Sequence, residues 1–138
     1  MMQQQILTLF LIIVLVGLAV WIGFEIVSFS ATAANRDAVT NHLLSLGAHA
    51  KAYYRTPRSY GGGENSFEGL TIEKLTRNPE TVDGEYFLQH PNGDGDINNP
   101  NRVVELTGVG KEPGTDGTPV RVMVRVFADD SVSVRRIN

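Results

Sequence analysis

A chain of 138 residues with a net charge of −3 and a pI near 5.5 has room for one small domain beyond a long helix, and no global charge to recruit nucleic acid. It has no cysteine, which excludes disulfides, thiolate metal sites and cysteine nucleophiles.

Met1 to Gln5 form a short polar cap. From Ile6 to Phe24 the chain reads ILTLFLIIVLVGLAVWIGF, uncharged, with Thr8 its only polar side chain. A helix of that length spans roughly 28 Å, close to the thickness of the hydrocarbon layer of a bilayer. A helix apolar on every face is unusual for a small soluble domain, so this one is expected to form in a membrane. A signal peptide is the competing reading, with Ala31-Thr32-Ala33 as a small-x-small cleavage site. The absence of Lys or Arg in MMQQQ and the length of the apolar run count against it. The first basic residue, Arg36, lies beyond the run, so charge says little of orientation; from a tiny N-terminal segment and a folded C-terminal head, the expectation is N-terminus inside and head outside.

Within the run, Ala19 and Gly23 form a small-xxx-small pair that admits a close neighbouring helix, a pattern also common in membrane helices generally. Ile6, Leu9, Ile13, Val16 and Val20 step by three and four and make one face for helix contacts. Glu25 sits at the edge of the run. It either marks the water boundary or neutralises a cation of a neighbouring chain, Arg36 or the Met1 amine. No proline occurs before Pro57, and Val39, Leu43, Leu46, Ala50 and Tyr53 continue with helical spacing. The expectation is therefore one helix from Ile6 to about Tyr54, roughly 75 Å long, apolar all round over residues 1–29 and amphipathic over 30–55.

Residues 56–138 are expected to form a globular head. Pro57 ends the helix, and Gly61-Gly62-Gly63 marks a loop with unusual backbone angles. It lacks the GK[ST] of a phosphate loop. Phe67 and Leu70 tuck that loop onto the core, and Thr71 would cap a single turn over residues 71–75. Turn dipeptides then separate four strand candidates, Glu85–Gln89, Arg102–Gly108, Pro119–Ala128 and Ser131–Ile137. Val120, Val122, Val124 and Val126 alternate and should cover the helix stripe. The fold class is thus α+β, a long N-terminal helix packed on a small three- or four-stranded antiparallel sheet.

This order of elements resembles the type IV pilins and pseudopilins. The resemblance is carried by the run Ile6–Phe24, the stripe Val39–Tyr53, the Tyr53-Tyr54 pair and the valine-alternating strands. The stretches QQQILTLFLIIVLVGLAV, ANRDAV, YYRTPRSYGGGENSF and GLTI also look like a group of pilin-like bacterial proteins of unassigned function. The family pattern has a basic leader ending in Gly and a Glu four residues beyond the aromatic residue that follows it. Here no Gly precedes the run and Gln5 stands near its start. Both an unprocessed chain and a start inside a longer leader stay open. The resemblance implies a structural subunit that inserts in the inner membrane, engages a pilus-type assembly machinery and polymerises with its own copies through its N-terminal helices. Its place would be a cell-surface filament. A single-pass membrane-anchored binding or accessory protein is the alternative, and a soluble domain released after Ala33 is a third.

The most site-like loop is HPNGDGDINNPN, where Asp94, Asp96 and Asn98 alternate and Glu105 follows with the spacing of a calcium loop. Asn99 in place of the loop glycine and the strand-like Val103-Val104 weigh toward an ordinary polar loop, with a partial Ca²⁺ site as the sharper reading. His42 and His49 can share a helix face but lack companions at ligand spacing. Arg121, Arg125 and Arg135 are expected on the outer face of the sheet with Arg136 nearby, paired with Glu105, Glu112 or another subunit rather than with nucleic acid. No nucleophile motif is present, and no enzyme is expected.

Overall fold

A computed structural model describes residues 1–90, 102–114 and 116–138. Helix α1 runs unbroken over Met2–Arg55, a length of about 80 Å. Its end is set by Thr56, held extended (φ −76°, ψ 132°) by the proline that follows. The glycine loop then folds back over that end. Gly63 N, Asn65 N and Glu64 N donate to the carbonyls of Tyr53, Tyr54 and Thr56 at 2.8, 2.7 and 3.0 Å. Two of the carbonyls that a helix leaves unpaired at its C-terminus, those of Tyr53 and Tyr54, are thereby satisfied by the chain itself. Gly61 takes φ +81°, and a side chain on Gly63 would collide with the Ser66 carbonyl, so glycine is required at both.

Phe67 and Leu70 are buried as expected, with the Phe67 ring 4.8 Å from that of Tyr54. A short helix α2 follows at Ile72–Leu75. Thr71 precedes it with an extended backbone, but its side chain makes no capping hydrogen bond. Its carbonyl instead accepts from Lys74 N at 3.1 Å.

The sheet is an antiparallel meander in the order β1 (Gly84–Gln89), β2 (Val103–Pro113), β3 (Pro119–Phe127) and β4 (Val132–Arg136). Strand β2 outruns its expected end at Gly108 by five residues. Gly108 and Gly110 look like strand terminators, yet each lies under the helix at a point where no side chain fits. A Cβ on Gly108 would sit 2.6 Å from Val39 Cγ1 and 3.1 Å from Leu43 Cδ1. These glycines let the helix approach the backbone of the sheet.

The core lies between the helix stripe and one sheet face. Val39, Leu43 and Ala50 have no exposure, and neither have Val120, Val122, Val124 and Val126 opposite them. Leu46, Tyr86, Val104 and Leu106 complete the layer. The β2–β3 and β3–β4 turns each carry a carboxylate that accepts from the residue two places on. Hydrogen bonds from Thr118 hold Asp116 below its ordinary pKa, and those from Ser131 do the same for Asp129.

The helix runs alongside β4 in the opposite sense. Arg36 Nη2 donates to Asn138 O at 3.0 Å near one end, while Lys51 and Arg55 reach Asp130 near the other. Strand β4 is otherwise left outside the helix's cover, with Val132 and Val134 39% and 44% exposed.

Gly108→Val tests the close approach. Strand propensity alone favours valine, whereas overpacking against Val39 and Leu43 predicts a loss of about 2–3 kcal/mol. Urea unfolding of the detergent-solubilised protein should show that loss. An unchanged midpoint would mean that the helix does not need the gap.

Candidate functional site

From Met2 to Phe29 no residue of the helix is buried, and none makes a side-chain hydrogen bond or ion pair outside the helix among the described residues. Every residue over that stretch is exposed, and the large apolar side chains show it most, Ile6 at 66% and Phe29 at 73%. The expected contact face of Ile6, Leu9, Ile13, Val16 and Val20 lies along this stem, with Ala19 and Gly23 beside it. Every side of the stem is exposed, so a single chain does not single out that face. No neighbouring atom lies within 4 Å of a Cβ built on Gly17 or Gly23, which leaves room for another helix. Fully burying each large apolar side chain is worth roughly 1.5–3 kcal/mol, so covering the stem gains tens of kcal/mol over leaving it in water. That exceeds the roughly 5–15 kcal/mol stability of a typical domain. The helix is long and apolar enough to cross a membrane.

Where the stem meets the head, polar groups replace the apolar surface. Thr32 Oγ1 donates to Pro113 O at 2.9 Å and Asn35 Nδ2 to Asp83 O at 2.9 Å. Together with the Arg36–Asn138 contact they fasten the sheet to the helix at its stem-proximal end. A cleft of about 300 Å³ opens here between the helix and the β2–β3 connection, lined by Glu25, Ser28, Phe29, Thr32, Arg36 and Pro113 among others. Glu25 is exposed on the helix face that also carries Arg36, and no ion pair joins them. The Nε of Arg36 is buried without a partner among the described residues, as is the Oδ1 of Asn35.

This collar was not legible as a unit in the sequence. Thr32, Asn35 and Arg36 look like the start of an ordinary solvated helix face, and their acceptors lie in the β1, β2 and β4 segments. Only the assembled sheet brings them together.

Other expected site residues separate. His42 stacks on Tyr86, ring centroids 4.3 Å apart, while His49 Nδ1 sits 3.2 Å from Leu75 O. Burial pushes the Tyr86 phenol above its ordinary pKa. Asp94, Asp96 and Asn98, the candidate Ca²⁺ ligands, lie outside the described residues. Register places Arg121, Arg125 and Arg135 on the outer sheet face, and Arg136 on the helix side. Arg125 Nε donates to Glu105 Oε2 at 2.9 Å, an ion pair in which the Glu105 side chain is only 11% exposed. Arg121, Arg135 and Arg136 make no ion pair among the described residues.

Comparison with known proteins found no matching family model, no matching curated protein and no matching solved structure.

Arg125→Ala strands the Glu105 carboxylate in a site largely closed to water. It should cost about 2 kcal/mol in chemical unfolding, with most of the loss recovered in the double variant Arg125→Ala, Glu105→Ala. A cost below about 0.5 kcal/mol would put the pair among surface ion pairs of little consequence.

Proposed function

We propose that this chain is a structural subunit of an extracellular, type IV pilus-like filament, inserted in the inner membrane first and polymerised through its apolar N-terminal helix. The observation that carries the reading is the contrast within α1. Val39, Leu43, Leu46 and Ala50 build the core of the head, whereas every residue from 2 to 29 is exposed. A stem apolar on all sides is covered equally well by lipid or by copies of itself. Contacts of one stem with several others, related by a shift along the axis, do not close on themselves and give an open helical polymer. The head would then form the outer shell. The meander sheet over the second half of the helix agrees with the pilin-like resemblance of the sequence. A pilus-type assembly machinery is the partner that such extraction from the bilayer requires.

The second reading is a single-pass membrane protein with an extracytoplasmic binding or accessory head. The collar favours it, since a polar, cleft-bearing junction directly beyond the stem suits a head resting at a membrane surface. Neither reading assigns catalytic chemistry to the chain. Glu25 would lie between stems in the filament and at the water boundary in the membrane-bound form.

Electron microscopy of fibres sheared from the native cells, with mass spectrometry of their subunits, separates the two. The filament reading expects this chain in the fibres with residues 6–24 intact. Fibres that never contain it, with the intact chain confined to membranes, would overturn that reading in favour of the anchored module.

A further inference from the structure

The head has two chemically opposite edges at one level. Glu85, Val109 and Arg121 occupy a single row across β1, β2 and β3. Ile137 N donates to Arg121 O at 3.0 Å and extends that row past β4. The next row runs from Tyr86 through Gly108 and Val122 to Arg136, and the one after it from Phe87 to Arg135. The helix confirms the level independently. Its consecutive residues Asn35 and Arg36 reach Asp83 on the β1 side and Asn138 on the β4 side. The β1 edge thus offers Asp83 and Glu85 around Val82, which is 89% exposed, while the lysine beside them, Lys111, is already paired with Glu80 at 3.4 Å. The β4 edge offers Arg135 and Arg136 around Ile137, 48% exposed, with Arg121 of β3 next to Ile137. Neither Asp83 nor Glu85, nor any of these three arginines, has an ion-pair partner among the described residues.

We propose that the β1 edge of one head docks on the β4 edge of a second copy of this chain, Val82 against Ile137, with the two acids facing the arginines. The inference rests on the filament reading and names its lateral contact. Stems held in one membrane are parallel and at one depth, so heads of neighbouring copies related by rotation about the stem direction meet side by side at matching heights, before any shift along a filament axis. Opposite edges of one molecule then face each other. The contact is made by side chains rather than by extending the sheet. The β1 edge is already occupied, with Glu80 bridged to Glu85 and Tyr86 N donating to Pro79 O at 2.8 Å. Exposed ion pairs are individually weak, so free heads would hardly associate. Parallel stems raise the effective concentration of one edge around the other and make the contact count. Because it joins two different surfaces, it propagates from head to head.

The chain lacks cysteine, so single-cysteine variants of the full-length protein in native membranes report the contact directly. Under copper-phenanthroline oxidation, V82C and I137C expressed together should give a disulfide between positions 82 and 137, and the V82C/I137C double variant a ladder of oligomers. D83K/E85K should reduce the ladder by roughly fivefold to thirtyfold, as should R135E/R136E, and all four changes in one chain should restore it. G23C serves as a separate reporter of stem contact. Stem crosslinks without any 82–137 product would overturn the lateral contact and leave the filament reading intact. Loss of both would overturn both. Homodimers through position 82 or 137 alone would overturn the proposed pairing of unlike edges. So would a fluorophore on I137C that responds to phosphatidylglycerol but not phosphatidylcholine vesicles while the ladder is absent, since the arginines would then face lipid.

Discussion

The seam between Val39, Leu43, Leu46 and Ala50 and the valine face of β3 is the contact on which the molecule depends. Without it the helix has no core to nucleate, and the four-stranded meander has one apolar face open to water. Two features of the sequence make the seam. One is a helix stripe at steps of three and four, the other an alternating strand whose inner residues are all valine. Gly108 and Gly110 complete it by letting the helix settle against β2 backbone rather than ride above it. The head is therefore not a domain attached to a helix. The second half of the helix is one of its layers.

The same helix makes incompatible demands along its length. Beyond the collar it needs the sheet, and before the collar it needs an apolar solvent or other helices. Nothing in its backbone marks the division, because α1 is continuous through it. The division lies in side chains, at Glu25, Ser28, Thr32, Asn35 and Arg36, and in the sheet edges that receive the last three. A rigid rod of about 80 Å holds the head at a fixed height and orientation relative to whatever covers the stem. In the proposed filament, that constraint would turn the sideways asymmetry of the head into a property of the assembly.

Much of this architecture could be read directly from the sequence. The helix stripe, the break at Pro57, the burial of Phe67 and Leu70 and the inner valines are local patterns, visible within a few residues. What escaped is non-local or depends on backbone detail. Gly108 looked like the end of a strand because its structural reason, the helix above it, lies some seventy residues earlier in the chain. Thr71 had the right residue type for a cap but not the side-chain geometry. The triple glycine showed as a loop, but its return to cap α1 needed coordinates. Arg125 and Glu105 were expected as partners. That Arg121, Arg135 and Arg136 stand level with Asp83 and Glu85 needed the register of all four strands.

The central claim is that the stem exchanges lipid for copies of itself. Trp21, the single tryptophan of the chain, stands on the stem and is 71% exposed, so it reports what covers the stem. Its fluorescence should be measured in membranes and in purified fibres, each prepared from cells or vesicles carrying brominated lipid. The account predicts quenching by that lipid in membranes, and in fibres a blue-shifted emission quenched neither by lipid nor by aqueous iodide. Lipid quenching of Trp21 in every fraction that contains the protein would contradict it, because the stem would then never leave the bilayer.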